Sequence, residues 1–222
     1  MGLQGNALHV LPADDPGSAD QHDPRFRALL PDTAWHTLSP AIQLRFSKRL
    51  ADGKTATYVG EIAEAHFSRL GWCLAQASRL IGGPLPTGTD AGVPGIVTVT
   101  EDMATGGQIW SRIYTRRHDF PQVIHSSKRF AGPTGLEEYI GRGIAIALHV
   151  SAENGALVFT SAAYLLQIGP FRLRLPDWLT PGKLTVTHQD VGTDRFRFAL
   201  QLLHPLLGVL IRQSAVFREA SL

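Results

Sequence analysis

The run Trp110-Ser111-Arg112-Ile113-Tyr114 holds the residue types best suited to binding chemistry. Alternation along an extended chain sends Trp110, Arg112 and Tyr114 to one face, and Ile109, Ser111 and Ile113 to the other. One face thus sets two aromatic rings around a guanidinium, a rigid fork of donors that stays charged and suits a carboxylate, carbonyl or phenolate. Gly143 to Val150 separates in the same way into a bulky face (Ile144, Ile146, Leu148, Val150) and a small face (Gly143, Ala145, Ala147) that ends in His149. Small side chains leave room for a ligand or for close packing of another element, and a histidine at the end of such a row suits acid–base work. Glu137-Glu138 opens that region; Glu138, His149 and His125 are the candidate proton carriers, and an inward carboxylate near Arg112 is a paired charge before it is a catalyst. Pro176-Asp177-Trp178-Leu179-Thr180-Pro181 has the shape of a loop that plugs or rims a pocket mouth.

Most standard catalytic signatures are missing. No Gly-x-Gly-x-x-Gly follows a strand, and there is neither a Walker A pattern nor a Gly-x-Ser-x-Gly elbow, so no nucleotide cofactor is expected. The nine histidines contain no His-x-His or His-x-x-x-His pair, and Cys73 is the only cysteine, so neither a metal site nor a disulfide is expected. Lys and Arg number 21 against 19 Asp and Glu, without the basic excess of a nucleic-acid binder. Hydrophobic residues make up 44% and charged residues 18%, which excludes a disordered chain. Nothing resembles a signal peptide or an apolar run long enough to span a bilayer, and a cytoplasmic protein is expected.

The elements that must carry these residues are readable from periodicity and punctuation. Residues 1–23 lack an apolar period and are expected to be a flexible leader, with a single domain over 24–222. Ser39-Pro40 is a helix start, with a serine N-cap and proline at the first position. Ser68 to Leu80 carries apolar residues at three- and four-residue spacing up to Gly82-Gly83-Pro84, which predicts a helix. Gly95–Glu101 and Gln108–Arg116 alternate around Thr105-Gly106-Gly107, a hairpin. Further alternating runs continue to Phe217 between Gly, Pro, Asn and Asp turns. Seven or eight strands without intervening helices predict an antiparallel meander. The fold class expected is α+β: a curved antiparallel sheet or partial barrel gripping the Ser68–Leu80 helix, with short N-terminal helices.

Several segments in order, among them Trp110-Ser111-Arg112, Glu138-Tyr139-Ile140-Gly141, Leu175-Pro176-Asp177-Trp178-Leu179-Thr180-Pro181, Arg195-Phe196-Arg197-Phe198 and His204-Pro205-Leu206-Leu207-Gly208, resemble domain-of-unknown-function family 4166 over about residues 25–218. The resemblance implies one complete bacterial domain, at times attached to oxidoreductase-like proteins, and a role for the Trp-x-Arg strand and the Pro-x-Trp-Leu-x-Pro loop. It implies no activity. The chain departs from the family at Gln213, Ser214 and Ala215, where a tyrosine and a glycine are expected, and at Gln189 in place of a glutamate.

The leading expectation is a pocket between helix and sheet for a small apolar or amphipathic molecule. Arg112 anchors a polar group, Trp110, Tyr114 and Trp178 supply aromatic walls, and Ala145 and Ala147 leave space. The alternative is a cofactor-independent isomerase, cyclase or hydratase using Glu138, His149 or His125 in that pocket. A third reading is an interaction domain serving an oxidoreductase-like partner, which predicts an exposed apolar patch instead of a cavity; a homodimer is a separate expectation.

Overall fold

The computed structural model describes residues 22–82 and 84–220. The leader read over residues 1–23 therefore lies outside the described residues except for its last two. Those two are fixed: His22 bridges to Lys48, and buried Asp23 pairs with Arg25 at 2.8 Å.

From Ala56 onward, alternation of apolar and polar residues makes most of the chain strand, with a helical connection after the first strand. The strands β1 (Ala56–Phe67), β2 (Val93–Asp102), β3 (Gly107–Tyr114), β4 (Gln122–Arg129), β5 (Glu137–Gly141), β6 (Ile144–Glu153) and β7 (Ala156–Ile168) pair antiparallel, each with the next. A short β8 (Phe171–Arg174) folds back on the end of β7. β7 then pairs with β9 (Lys183–Gly192), which continues through β10 (Arg195–His204) to β11 (Gly208–Glu219). β11 returns to β1, from Tyr58 opposite Glu219 to Phe67 opposite Ile211, and ten strands close into a barrel. This corrects the expected fold class: the protein is a closed antiparallel β-barrel, not an α+β partial barrel wrapped on a helix.

The reason lies in the alternation itself. Most inward positions are apolar and buried, including Val97 and Val99 on β2, Leu184 and Val186 on β9, Phe196 and Phe198 on β10, and Ala215 and Phe217 on β11. Their outward neighbours, such as Glu61, His149, Arg197 and Arg212, are exposed. Each of the ten barrel strands thus has one face to hide, and closure hides all ten without leaving an unpaired edge in the barrel. Apolar inside and polar outside is the reverse of a porin-type barrel. No helix among the described residues is long and apolar enough to cross a membrane.

The two ends differ. At one, α1 (Asp32–Trp35) and α2 (Pro40–Phe46) form a plug, α2 starting on Ser39, whose Oγ accepts from the Ile42 N–H. Ile42 and Phe46 are buried, and the Phe46 ring lies 5.8 Å from Phe159 and 5.1 Å from His188. At the other end, α3 (Arg69–Ala77) and a 3-10 turn (Ser78–Ile81) cross the mouth. Gly71 permits this: a β-carbon there would stand 1.9 Å from the Leu210 carbonyl oxygen, so only glycine brings α3 onto β11. The expected helix is present, but as a cover over the mouth rather than a core the sheet grips.

Candidate functional site

An apolar cavity of about 320 Å³ opens beneath α3, at the mouth end of the barrel. Its roof is Leu74, Ala77 and Ile81 with the Pro84-Leu85-Pro86 segment, and inward residues of the strands, such as Ile146, Val186 and Leu202, form its walls. A ten-stranded barrel is wider than the roughly eight strands whose interior side chains can fill. The aromatic residues and the α2 plug fill the closed end, and the mouth end stays open.

The floor of the cavity is charged. Arg112 on β3 and Glu138 on β5 both line it, with Tyr114, Tyr164 and Gln213. Below them Lys128 is almost wholly buried, its Nζ donating to Glu138 Oε2 at 3.0 Å. Ser126 Oγ donates to Glu138 Oε1 at 2.7 Å and accepts from Arg112 Nη1 at 3.0 Å, while Arg112 Nη2 stands 3.5 Å from the same carboxylate oxygen. Burial alone opposes ionisation of Glu138, but the charges of Lys128 and Arg112 and the Ser126 hydroxyl outweigh it and hold its pKa at about 2. Burial pushes the Lys128 pKa down, and Glu138 restrains that fall. His188 on β9, ringed by Phe46, Trp110, Phe159, Phe196 and Phe198, is lowered well below 6.5, first by burial and then by Lys128, Arg45 and Arg112. It is neutral, its Nδ1 buried without a partner. The floor therefore holds two cations against one carboxylate, with the Arg112 guanidinium bordering the cavity.

The residues singled out from the sequence divide into two groups. Trp110, Arg112 and Tyr114 all point inward as alternation requires; Arg112 and Tyr114 line the cavity, while Trp110 packs deeper, beside Phe46 and His188. Glu138 joins them. Ala145 and Ala147 lie on the outer face, buried in a separate cluster with Leu165, because the bulky residues Ile144 and Ile146 of β6 face the cavity instead. This small face accommodates the β7–β8 hairpin, whose Arg172 crosses it to pair with Glu137. His149 and His125 are on the outside; His125 Nδ1 is 2.9 Å from Ser111 Oγ, its cross-strand neighbour. Trp178 is exposed at the rim, where Leu175 and Pro181 on either side of it reach the cavity.

Lys128 and Ser126 are site residues that sequence reasoning missed. Their signal is nonetheless present: with Ile124 they occupy every second position of a strand whose other face carries Val123 and His125. Gln213, one of the departures from the resembled family, also lines the cavity.

Comparison with known proteins adds the family. Residues 38–217, from just before α2 to near the end of the closing strand, match the family model described as a domain of unknown function, DUF4166. No curated protein and no solved structure matches the chain. The barrel with its charged cavity floor is therefore the fold of a chain that belongs to the DUF4166 family.

Proposed function

We propose that the protein binds one small molecule with an apolar body and an anionic or strongly accepting head, in the cavity under α3. The observation that carries this reading is the floor: the buried cations Arg112 and Lys128 share the Glu138 carboxylate, and Arg112 and Glu138 border a mainly apolar space. A ligand carboxylate or carbonyl at Arg112 supplies a second acceptor beside Glu138, and its body displaces water from the aliphatic walls. The volume of about 320 Å³ falls within the usual 300–1,000 Å³ of ligand pockets.

Acid–base catalysis has less support. His125 and His149 lie on the outer face, and Glu138, the remaining candidate, is tied to Lys128 and Ser126 and ionised far below neutral pH. Its pKa is distant from that of an efficient proton carrier near pH 7.

The test is a titration with 1-anilinonaphthalene-8-sulfonate, which joins an apolar ring system to an anion. One saturable site is expected, emptied by competing dodecanoate. Enhancement that never saturates, or that dodecanoate leaves unchanged, would count against the proposal.

A further inference from the structure

The loops at the mouth of the barrel expose large apolar side chains all the way round the opening. Leu80, 78% exposed, ends the helical cover, and Trp72 stands on α3. Phe120, 87% exposed, tips the β3–β4 loop; Trp178, 82% exposed, rises from the segment before β9; and Leu206, 88% exposed, is in the β10–β11 turn. The antiparallel order of the strands brings these four separate connections to one end, so their convergence is a property of the topology. Isolated exposed apolar residues need no explanation, but a ring of them around one opening does.

Cations accompany the ring. These connections and the β5–β6 turn at the same end carry Arg69, Arg79, Arg116, Arg117, Arg142 and Arg174, besides Arg172, which pairs with Glu137, against Asp90, Asp119 and Asp177. Arg116 and Arg117 pair with Asp119 and Asp90, so the positive excess rests on the others. Tryptophan and leucine projecting among arginines is the composition that settles at a bilayer interface, where rings sit at headgroup level and cations meet anionic lipid. A fluid surface also accommodates contacts spread over separate loops, whereas a folded partner must match them rigidly.

We propose that the protein docks, mouth down, on the surface of an anionic lipid bilayer through this ring. The inference goes beyond the binding reading and does not require it. If both hold, the opening lies against the phase in which an apolar ligand is concentrated.

The test is co-flotation of the full chain with vesicles of phosphatidylcholine alone, and with vesicles in which phosphatidylglycerol replaces about a third of the lipid. Flotation is expected with the anionic vesicles, falling as salt is raised. Trp178→Asp combined with Leu206→Asp is expected to lower it about tenfold or more with the circular dichroism unchanged. Met103→Asp, in the turn at the opposite end, is expected to leave it intact. No flotation at low salt would overturn the proposal, as would flotation indifferent to the rim substitutions. A dimer in solution that the rim substitutions dissociate, without vesicle binding, would also overturn it and give the ring to a second copy. Titration with 1-anilinonaphthalene-8-sulfonate needs no vesicle, so failure of the cavity reading and failure of the docking proposal are distinguishable.

Discussion

Lys128 and Arg112 flank a single carboxylate, so the members of this cluster are not equivalent when removed. Glu138→Gln leaves two buried cations with no counter-charge and is expected to cost about 3–5 kcal/mol of stability, the usual penalty for stranding a buried charge. Lys128→Met leaves Arg112 and Glu138 balanced, and the end of the side chain already lies among aromatic rings, Nζ standing 5.0 and 5.3 Å from the Phe159 and Trp110 centroids. It is expected to cost less than about 2 kcal/mol. Urea unfolding of both variants checks the order, and a larger loss for Lys128→Met would contradict the charge count. The aromatic-and-arginine face is legible in the sequence because period-two alternation alone decides which residues of β3 share a side. That Lys128 and Glu138 meet is not, since it depends on β4 pairing with β5 at Lys128 opposite Glu138, and register is set by closure and turns rather than by either strand.

At the scale of elements, the closed end depends on a neutral imidazole. The Phe46 ring of α2 packs edge-on against His188, and Arg45 stands over Phe196 at 3.8 Å. In the folded chain His188 stays unprotonated, while in the unfolded chain it takes up a proton near 6.5. The unfolded state thus binds more protons below that pH, and stability falls as the pH drops through about 6.5. Glu138, at about 2 when folded against 4.5 ordinarily, adds a second loss only below about 4.5. The melting temperature is expected to decline already between about pH 6.5 and 5 in the native protein, and His188→Phe is expected to flatten that part of the curve. An unchanged decline would place the responsible proton elsewhere. Elements as such are largely legible: the serine cap of α2, the helix after Ser68, the β2–β3 hairpin and the later strands lie close to where periodicity puts them. Alternation on β6 separates the small residues from the bulky ones but carries no sign of which side faces inward, and so it suggests Ala145 and Ala147 for the cavity when they lie outside it. The brief β8, exposed along its length, has no buried face to leave a period.

For the whole molecule, closure is the property hidden from the sequence. Meander order follows from short turns between consecutive strands, and these are local. The seam between β1 and β11 joins residues more than a hundred positions apart, and no turn announces it. Closing the sheet puts the helix at the mouth instead of in the core and leaves the interior with an aromatic end and an open, charged end. The central claim is that Arg112 at the bottom of that space recognises an acceptor on an apolar ligand. Isothermal titration of the native protein and Arg112→Met with dodecanoate and with dodecanol tests it most directly. Arg112→Met preserves the Lys128–Glu138 pair, so the barrel is expected to remain folded. The account predicts that the substitution weakens dodecanoate about tenfold or more, the worth of one charge-assisted hydrogen bond, and leaves dodecanol within about twofold. Equal weakening of both, or unchanged dodecanoate affinity, would contradict it.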